Sequence, residues 1–259
     1  MDVMEPLTED QVISNLSLVA DPADQYYAAW WLGKMRSRHP EAVPLLLQTL
    51  DALQQTPVDP DRRGVALNAI RALGRLEDSR ACSPLRALLT SKDYAVREEA
   101  ARSLGNLKDP GALESIQTLL TSGIEGAGAE QAGSPLLNEP CEALLEALGD
   151  IGVSSPETIA VIQPFTRHPR PLIRAAACRA LLQLTGDASW GTQLIELLQH
   201  PEALVRRGAL LDLGATGWTA AGPAIGAAAV EPSLKLVALR GLAEHSEETE
   251  MLDAMDALI

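Results

Sequence analysis

Residues 93–120 read DYAVREEAARSLGNLKDPGALESIQTLL. Asp93 carries a side-chain acceptor where a helix would need its first N–H groups capped, and Val96 and Arg97 fall in that first turn. Ala100, Ala101 and Leu104 recur at helical spacing and make one apolar stripe. Gly105 either ends the helix in a left-handed conformation or lets a second helix cross closely. Asp109-Pro110 opens another helix, which buries Leu113, Ile116, Leu119 and Leu120. The unit is therefore two antiparallel helices joined by a short turn.

The same phrase recurs along the chain: alanine or leucine, three residues, leucine, then usually glycine. It ends at positions 33, 74, 105, 149 and 214, with degenerate copies ending at Leu182 and Ala243. The spacing is about thirty residues, lengthened at two intervals, which is the period of a stacked array. The apolar content comes mainly from alanine and leucine, a bias toward helix. The unit resembles the HEAT-like repeat in the variant named after phycobilisome lyases. That resemblance implies an all-α fold, an α-solenoid (superhelix) of HEAT-like helix pairs, and by itself says little about activity.

The whole chain reads as one solenoid. Residues 1–53 hold an N-terminal cap and the first repeat, 61–120 regular repeats, 141–243 the C-terminal repeats and 244–259 a capping helix. The connection 54–61 is long. Residues 121–140, TSGIEGAGAEQAGSPLLNEP, are rich in glycine, alanine and serine, and the expectation is a mobile loop. Such insertions either border a binding surface or are neutral linkers. Past Asp212, Leu213-Gly214-Ala215-Thr216-Gly217-Trp218 is expected to be too glycine-rich to continue a helix. The last helix is expected to turn Met251, Leu252, Met255 and Leu258 inward.

Charge excludes several roles. A net charge of −14 repels phosphate backbones and anionic lipid, which argues against nucleic-acid binding. No apolar run reaches the length of a membrane span, and the acidic N-terminus lacks a signal-peptide core. Cys82, Cys141 and Cys178 are odd in number and far apart, the pattern of a reducing, cytoplasmic compartment. His39, His168, His200 and His245 form no HxxH or HExxH pair, so no metal site is expected. Arg97, Arg174 and Arg206 each follow Val or Ile at a helix start. Their regular placement favours hydrogen bonding between repeats over ligand contact, whereas Arg62-Arg63 departs from that spacing and is ambiguous.

One feature breaks the repeat. Of eight aromatic residues, four fall in Tyr26-Tyr27-Ala28-Ala29-Trp30-Trp31. With the phrases aligned on their leucines, Ala28, Ala29 and Leu32 match the buried Ala100, Ala101 and Leu104. Tyr26, Tyr27, Trp30 and Trp31 match Glu98, Glu99, Arg102 and Ser103. The rings thus occupy positions that are mostly polar elsewhere, with Tyr26 over Trp30 and Tyr27 over Trp31 at i, i+4 and Lys34 extending the stripe. Such a surface suits a planar conjugated ligand or a protein partner. The alternative is that the rings fill a core beneath the N-terminal cap, against Ile13, Leu16 and Leu18.

The string YYAAWWLGKMR, residues 26–36, closely resembles the signature of the E-type subunit of the heterodimeric phycobilin lyases of cyanobacteria. Residues 206–218 and 231–240 resemble that subunit's C-terminal block, and the likeness extends over nearly the whole chain. The resemblance implies a subunit that acts with an F-type partner to attach a linear tetrapyrrole to a cysteine of a phycobiliprotein α subunit. Phycocyanobilin is the usual pigment and phycocyanin the usual acceptor. Related pairs handle phycoerythrobilin, and some isomerise the pigment.

The residues can be matched to that chemistry. A bilin is flat and apolar over its rings and anionic at two propionates. Tyr26, Tyr27, Trp30 and Trp31 would hold its rings, and Lys34, Arg36 or Arg38 its propionates. A carboxylate beside the pyrrole nitrogens would favour the protonated, more electrophilic pigment. Asp212 is the candidate, against the alternative that it serves helix C-terminal structure. The cysteines read as buried structural thiols rather than pigment carriers. Two other readings remain open: a non-catalytic HEAT-repeat adaptor for phycobiliprotein assembly or breakdown, and a lyase-isomerase subunit.

Overall fold

The computed structural model describes residues 7–17, 21–245 and 249–258. The chain divides into two units, Met1–Ser115 and Ile116–Ile259. The first contains α1 (Glu9–Ser17), α2 (Pro22–Lys34), α3 (Ala42–Thr49), α4 (Pro60–Arg75), α5 (Cys82–Leu88) and α6 (Tyr94–Asn106). Helix α7 (Leu113–Leu120) carries the chain into the second. There follow α8 (Cys141–Ile151), α9 (Pro156–Ile162), α10 (Pro171–Thr185), α11 (Ala188–Leu197), α12 (Ala203–Thr216), α13 (Gly222–Ala227), α14 (Pro232–Ala243) and α15 (Glu250–Asp256). Among the described residues the only β pairing is an isolated bridge between Glu130 and Leu137. No described helix is long and apolar enough to cross a membrane.

Within each unit the leading helices form one layer. Helix α2 packs on α4 and α4 on α6; in the second unit the order is α8, α10, α12, α14. The shorter helices pack behind them, as α3 does on α4, α5 on α6 and α11 on α12. This is the stacked-pair arrangement of an all-α solenoid, and the repeated phrase explains it. Its alanines and leucine are buried: Ala28, Ala29 and Leu32 in α2, Ala69 and Leu73 in α4, Ala100 and Leu104 in α6. Burying Leu32 completely contributes about 2 kcal/mol.

The terminal glycine of the phrase is a crossing point. A Cβ at Gly33 would lie 2.7 Å from the Ala72 Cα, and one at Gly74 the same distance from the Ser103 Cα. Gly149 against Ala180 and Gly214 against Ala238 repeat the arrangement at 2.8 and 2.6 Å. At these four glycines the close crossing is the role observed. The left-handed residue stands three positions later, at Arg36 (φ 50°), Glu77 (φ 56°) and Lys108 (φ 50°), with Gly152 and Gly217 in the second unit. There the chain reverses: the Ser37 N–H donates to the Leu32 carbonyl at 3.0 Å and the Asp109 N–H to that of Leu104 at 3.1 Å.

Capping follows the sequence in the first unit. Asp21, Asp59 and Asp93 accept from N–H groups in the first turns of α2, α4 and α6. Arg63 forks onto the Asp93 carboxylate, which resolves the ambiguity of the Arg62-Arg63 pair. Arg97, Arg174 and Arg206 do form structural hydrogen bonds, but chiefly within their own repeat. Each donates to the carbonyl six residues back, of Ser91, His168 and His200, at 2.8, 3.0 and 2.8 Å. Arg206 also reaches a later segment, at the Ala229 carbonyl.

Two local expectations are corrected, at the end of α12 and in α15, and the loop expected at 121–140 gains defined anchors. Helix α12 runs through Gly214 and Ala215 to Thr216 and stops at left-handed Gly217, because Gly214 is needed for the crossing with α14. Residues 121–140 form a tied-down loop. His168 is buried beside it, its Nδ1 accepting from the Arg170 N–H, so its Nε2–H donates to the Gly128 carbonyl at 3.0 Å. Arg170 pairs with Glu130 at 2.6 Å and reaches the Pro135 carbonyl. In α15, Met251 is buried and Met255 and Leu258 partly so, whereas Leu252 faces solvent, since only the i, i+4, i+7 set shares one face.

Gly33→Ala and Gly74→Ala should each lower stability by about 1–3 kcal/mol, because the added methyl meets backbone that cannot yield. Gly226→Ala, where nothing lies within 4 Å, should be neutral or slightly stabilising. Urea unfolding midpoints would compare the three.

Candidate functional site

Helix α2 is short of choices. Ala28, Ala29, Leu32 and Gly33 fill its buried face together with Gln25, and the small residues at the crossing let α4 approach, so the rings project outside that contact. Tyr26, Tyr27 and Trp30 are 49%, 44% and 45% exposed, and Trp31 is partly buried. Helix α1 does not cover them. It packs on α2 through Val12, Ile13 and Leu16, and the Gln25 amide donates to the Leu16 carbonyl at 3.2 Å. The core alternative therefore fails for three of the four rings; Leu18, which it also invoked, lies outside the described residues.

The ring pair differs from the expected one. Tyr27 and Trp30, at i, i+3, have centroids 5.6 Å apart and planes tilted by 39°. Tyr26 instead leans over α4, where Gly64 leaves its ring room: a Cβ there would sit 3.7 Å from Cδ2 and Cε2. The Asn68 amide donates to the Tyr26 carbonyl at 3.2 Å. Tyr26 lines an open groove with Asp21, Pro22, Pro60, Asp61 and Gly64.

A second groove begins where the rings end. Lys34 and Arg36 line it with Gly33, Gly74, Arg75, Glu77 and Asn106. Arg36 is held by Glu77 at 3.3 Å, an exposed pair. Arg71, on the neighbouring helix at the position equivalent to Trp30, bonds Glu99 at 2.5 Å and the Asn68 Oδ1 at 3.1 Å. The hydrogen bond it donates to Glu99 raises the guanidinium's affinity for its proton. Gly64, Asn68, Arg71 and Arg75 were not singled out from the sequence. The signal for Arg75 was available, since the first two phrase glycines, Gly33 and Gly74, are each followed by a cation.

Asp212 belongs to the second unit. It is buried, its Oδ1 3.3 Å from the Arg179 Nη1. The same guanidinium bonds Asp150 at 2.7 Å and lies 3.8 Å from Glu146. Burial works against the charge on Arg179, but Asp150, Asp212 and Glu146 outweigh it and raise its pKa. One arginine thus ties α8 to α12 across α10, and this gives Asp212 a structural occupation.

The remaining titratable candidates are also occupied. His39, His168 and His200 stand in His-Pro turns, each Nδ1 accepting the N–H two residues on. Cys141 and Cys178 are buried, and burial pushes both thiols up to about 12. Cys82 is partly exposed, and burial followed by the charge of Asp109 raises it as well. Near neutral pH all three are thiols, the unreactive form.

Comparison with known proteins now bears on this arrangement. The HEAT repeats pattern matches residues 50–132 and 141–213, and the PBS lyase HEAT-like repeat matches 24–52, the segment carrying the rings. The phycocyanobilin lyase subunit alpha of Picosynechococcus sp. (strain PCC 7002) is 43% identical over 98% of this chain and 97% of its own. The chain belongs to the E-type, or alpha, subunits of the heterodimeric phycobilin lyases. Within that family, the bilin biosynthesis protein RpcE of Synechococcus sp. (strain WH8020) is 65% identical over 98% of this chain and 96% of its own. A chain in the complex of CpcE and CpcF of phycocyanin lyase from Nostoc sp. PCC7120 superposes with a TM-score of 0.86 at 40% identity. That match covers 98% of this chain and 96% of the other.

Alkylation of the native protein should modify Cys82 first and reach Cys141 and Cys178 only on unfolding, as mass spectrometry of digests would show. Trp30→Ala should leave far-UV circular dichroism unchanged and stability within about 0.5 kcal/mol, as for an exposed side chain. A broad loss of helix would instead make the ring a core residue.

Proposed function

We propose that this chain is the alpha-type subunit of a heterodimeric bilin lyase, acting with an F-type partner on a phycobiliprotein α subunit. Its relatives over 98% of the length bear that name, and its structural neighbour is part of a two-protein lyase complex. The adaptor alternative has no comparable support. The observation that carries the site is the stripe of exposed Tyr26, Tyr27 and Trp30 with partly buried Trp31 on α2, in the segment that matches the lyase repeat. Its role is to hold the planar body of the pigment.

The chemistry asks little else of this chain. The acceptor's cysteine thiol adds across the ethylidene double bond of ring A: a carbon–sulfur bond forms, the pigment gains the proton, and nothing is oxidised. Bilins add to thiols unaided but indiscriminately, so fixing one face and one distance supplies much of the benefit. The nucleophile comes from the acceptor, in keeping with the three protonated cysteines here. The reaction as proposed does not use Asp212. Phycocyanobilin is the pigment proposed, taken up as substrate, with phycocyanin as acceptor. The name of the WH8020 relative specifies no particular bilin, so a phycoerythrobilin or isomerising variant is the second reading. The three unbridged thiols support a cytoplasmic site of action.

Co-expression with an F-type subunit, a phycobiliprotein α subunit and a source of phycocyanobilin should yield a covalently coloured, fluorescent acceptor only when this chain is present. Omitting this chain without loss of product would overturn the proposal. Product absorption assigns the pigment and reveals any isomerisation.

A further inference from the structure

Two glycines make the groove beyond the rings. Gly33 lets α2 approach Ala72, and Gly74 lets α4 approach Ser103, each within 2.7 Å of where a Cβ would stand. The residues that follow them, Lys34 and Arg75, are thereby delivered to one open groove of about 480 Å³. Both are exposed, and neither has an ion-pair partner among the described residues. Their neighbours are committed: Arg36 to Glu77, Arg71 to Glu99 at 2.5 Å, and Arg102 to Glu98 at 3.5 Å. The groove's only carboxylate is Glu77. On a chain of net charge −14 this is a local reversal of sign, with two uncommitted cations side by side.

Position relates the pair to the rings. Lys34 follows Trp30 by one helical turn and Tyr27 by two, roughly 6 and 10 Å along α2. Arg75 occupies the matching position on the next helix, whose axis lies roughly 8–10 Å away. A flat ligand lying on Tyr27 and Trp30 would therefore meet two positive charges beyond one edge. We propose that Lys34 and Arg75 are the carboxylate-reading pair of this subunit, binding the two propionates of the tetrapyrrole whose rings the aromatic stripe holds. The inference rests on the ring-platform reading. It replaces Arg36, which the sequence nominated, with Arg75. An exposed cation gives each carboxylate only a modest pull, so the pair sets orientation more than affinity.

The test compares phycocyanobilin with its dimethyl ester, titrated into this chain in complex with an F-type subunit and followed by pigment absorption and circular dichroism. The free acid should bind roughly tenfold more tightly than the ester, and added salt should shrink that preference. The double variant Lys34→Gln/Arg75→Gln should abolish the preference by weakening the acid alone, with an unchanged thermal midpoint. Arg36→Gln should retain it. A double variant that keeps the preference, or that weakens acid and ester equally, overturns the pair. Trp30→Ala separates the two ideas by weakening both forms alike if the platform holds. If it does so while the double variant keeps its preference, only the groove inference fails. If it affects neither form, the platform reading fails first.

Discussion

Backbone-to-backbone approach at Gly33, Gly74, Gly149 and Gly214 is the contact on which the remaining features depend. Each glycine accepts an alanine or serine of the next leading helix at a distance no Cβ would tolerate. The residues that meet at these crossings are therefore small, alanine, glycine or serine, while leucine, isoleucine and valine fill the buried faces beside them. Close crossing has a second effect. With the crossing itself closed to bulk, exposed rings can be carried only away from it, and α2 has placed Tyr27 and Trp30 there. The same approach sets Lys34 beside Arg75.

Polar groups on that outer side follow one rule in both units, with opposite consequences. In the first unit Arg71 and Glu99 pair across neighbouring helices with the arginine 45% and the glutamate 16% exposed, an interaction worth about 1 kcal/mol. In the second, Arg179 sits at the position equivalent to Trp30 and is ringed by Glu146, Asp150 and Asp212. Removing the arginine would leave three carboxylates facing one another in a poorly solvated place, a loss on the order of 3–5 kcal/mol by analogy with broken buried pairs. The same register position thus carries an exposed ring on α2 and a structural cation on α10.

Much of this was legible in the sequence, for a physical reason. A repeat writes its packing rule several times, so the alanine–leucine–glycine phrase gave the helix pairs, and its violation at 26–31 marked the stripe. Features fixed by long-range partners were not legible. Residues 121–140 look mobile by composition, yet His168 and Arg170, some forty positions away, hold them. The glycines after Asp212 look like a helix breaker, yet Gly214 is there for α14. The ring pairing at i, i+3 rather than i, i+4 depends on where Tyr26 finds room, and that is over Gly64 of another helix. Arg36 and Arg75 could not be ranked without knowing that Glu77 holds the first.

An exposed row of tyrosine and tryptophan is unfavourable in isolation, since each ring keeps close to half its area in water that burial would release. A chain with eight aromatic residues that leaves three of them so placed gains nothing in folding from the arrangement. The gain has to come on binding, from a surface matching the stripe in shape and polarity. On the proposed reading that surface is a linear tetrapyrrole, with apolar rings for the aromatics and carboxylates for the cationic end. The inert thiols complete the division of labour. On the proposed reading the acceptor's thiol is the nucleophile, the buried Cys141 and Cys178 do not compete with it, and the geometry of the encounter decides where the bond forms.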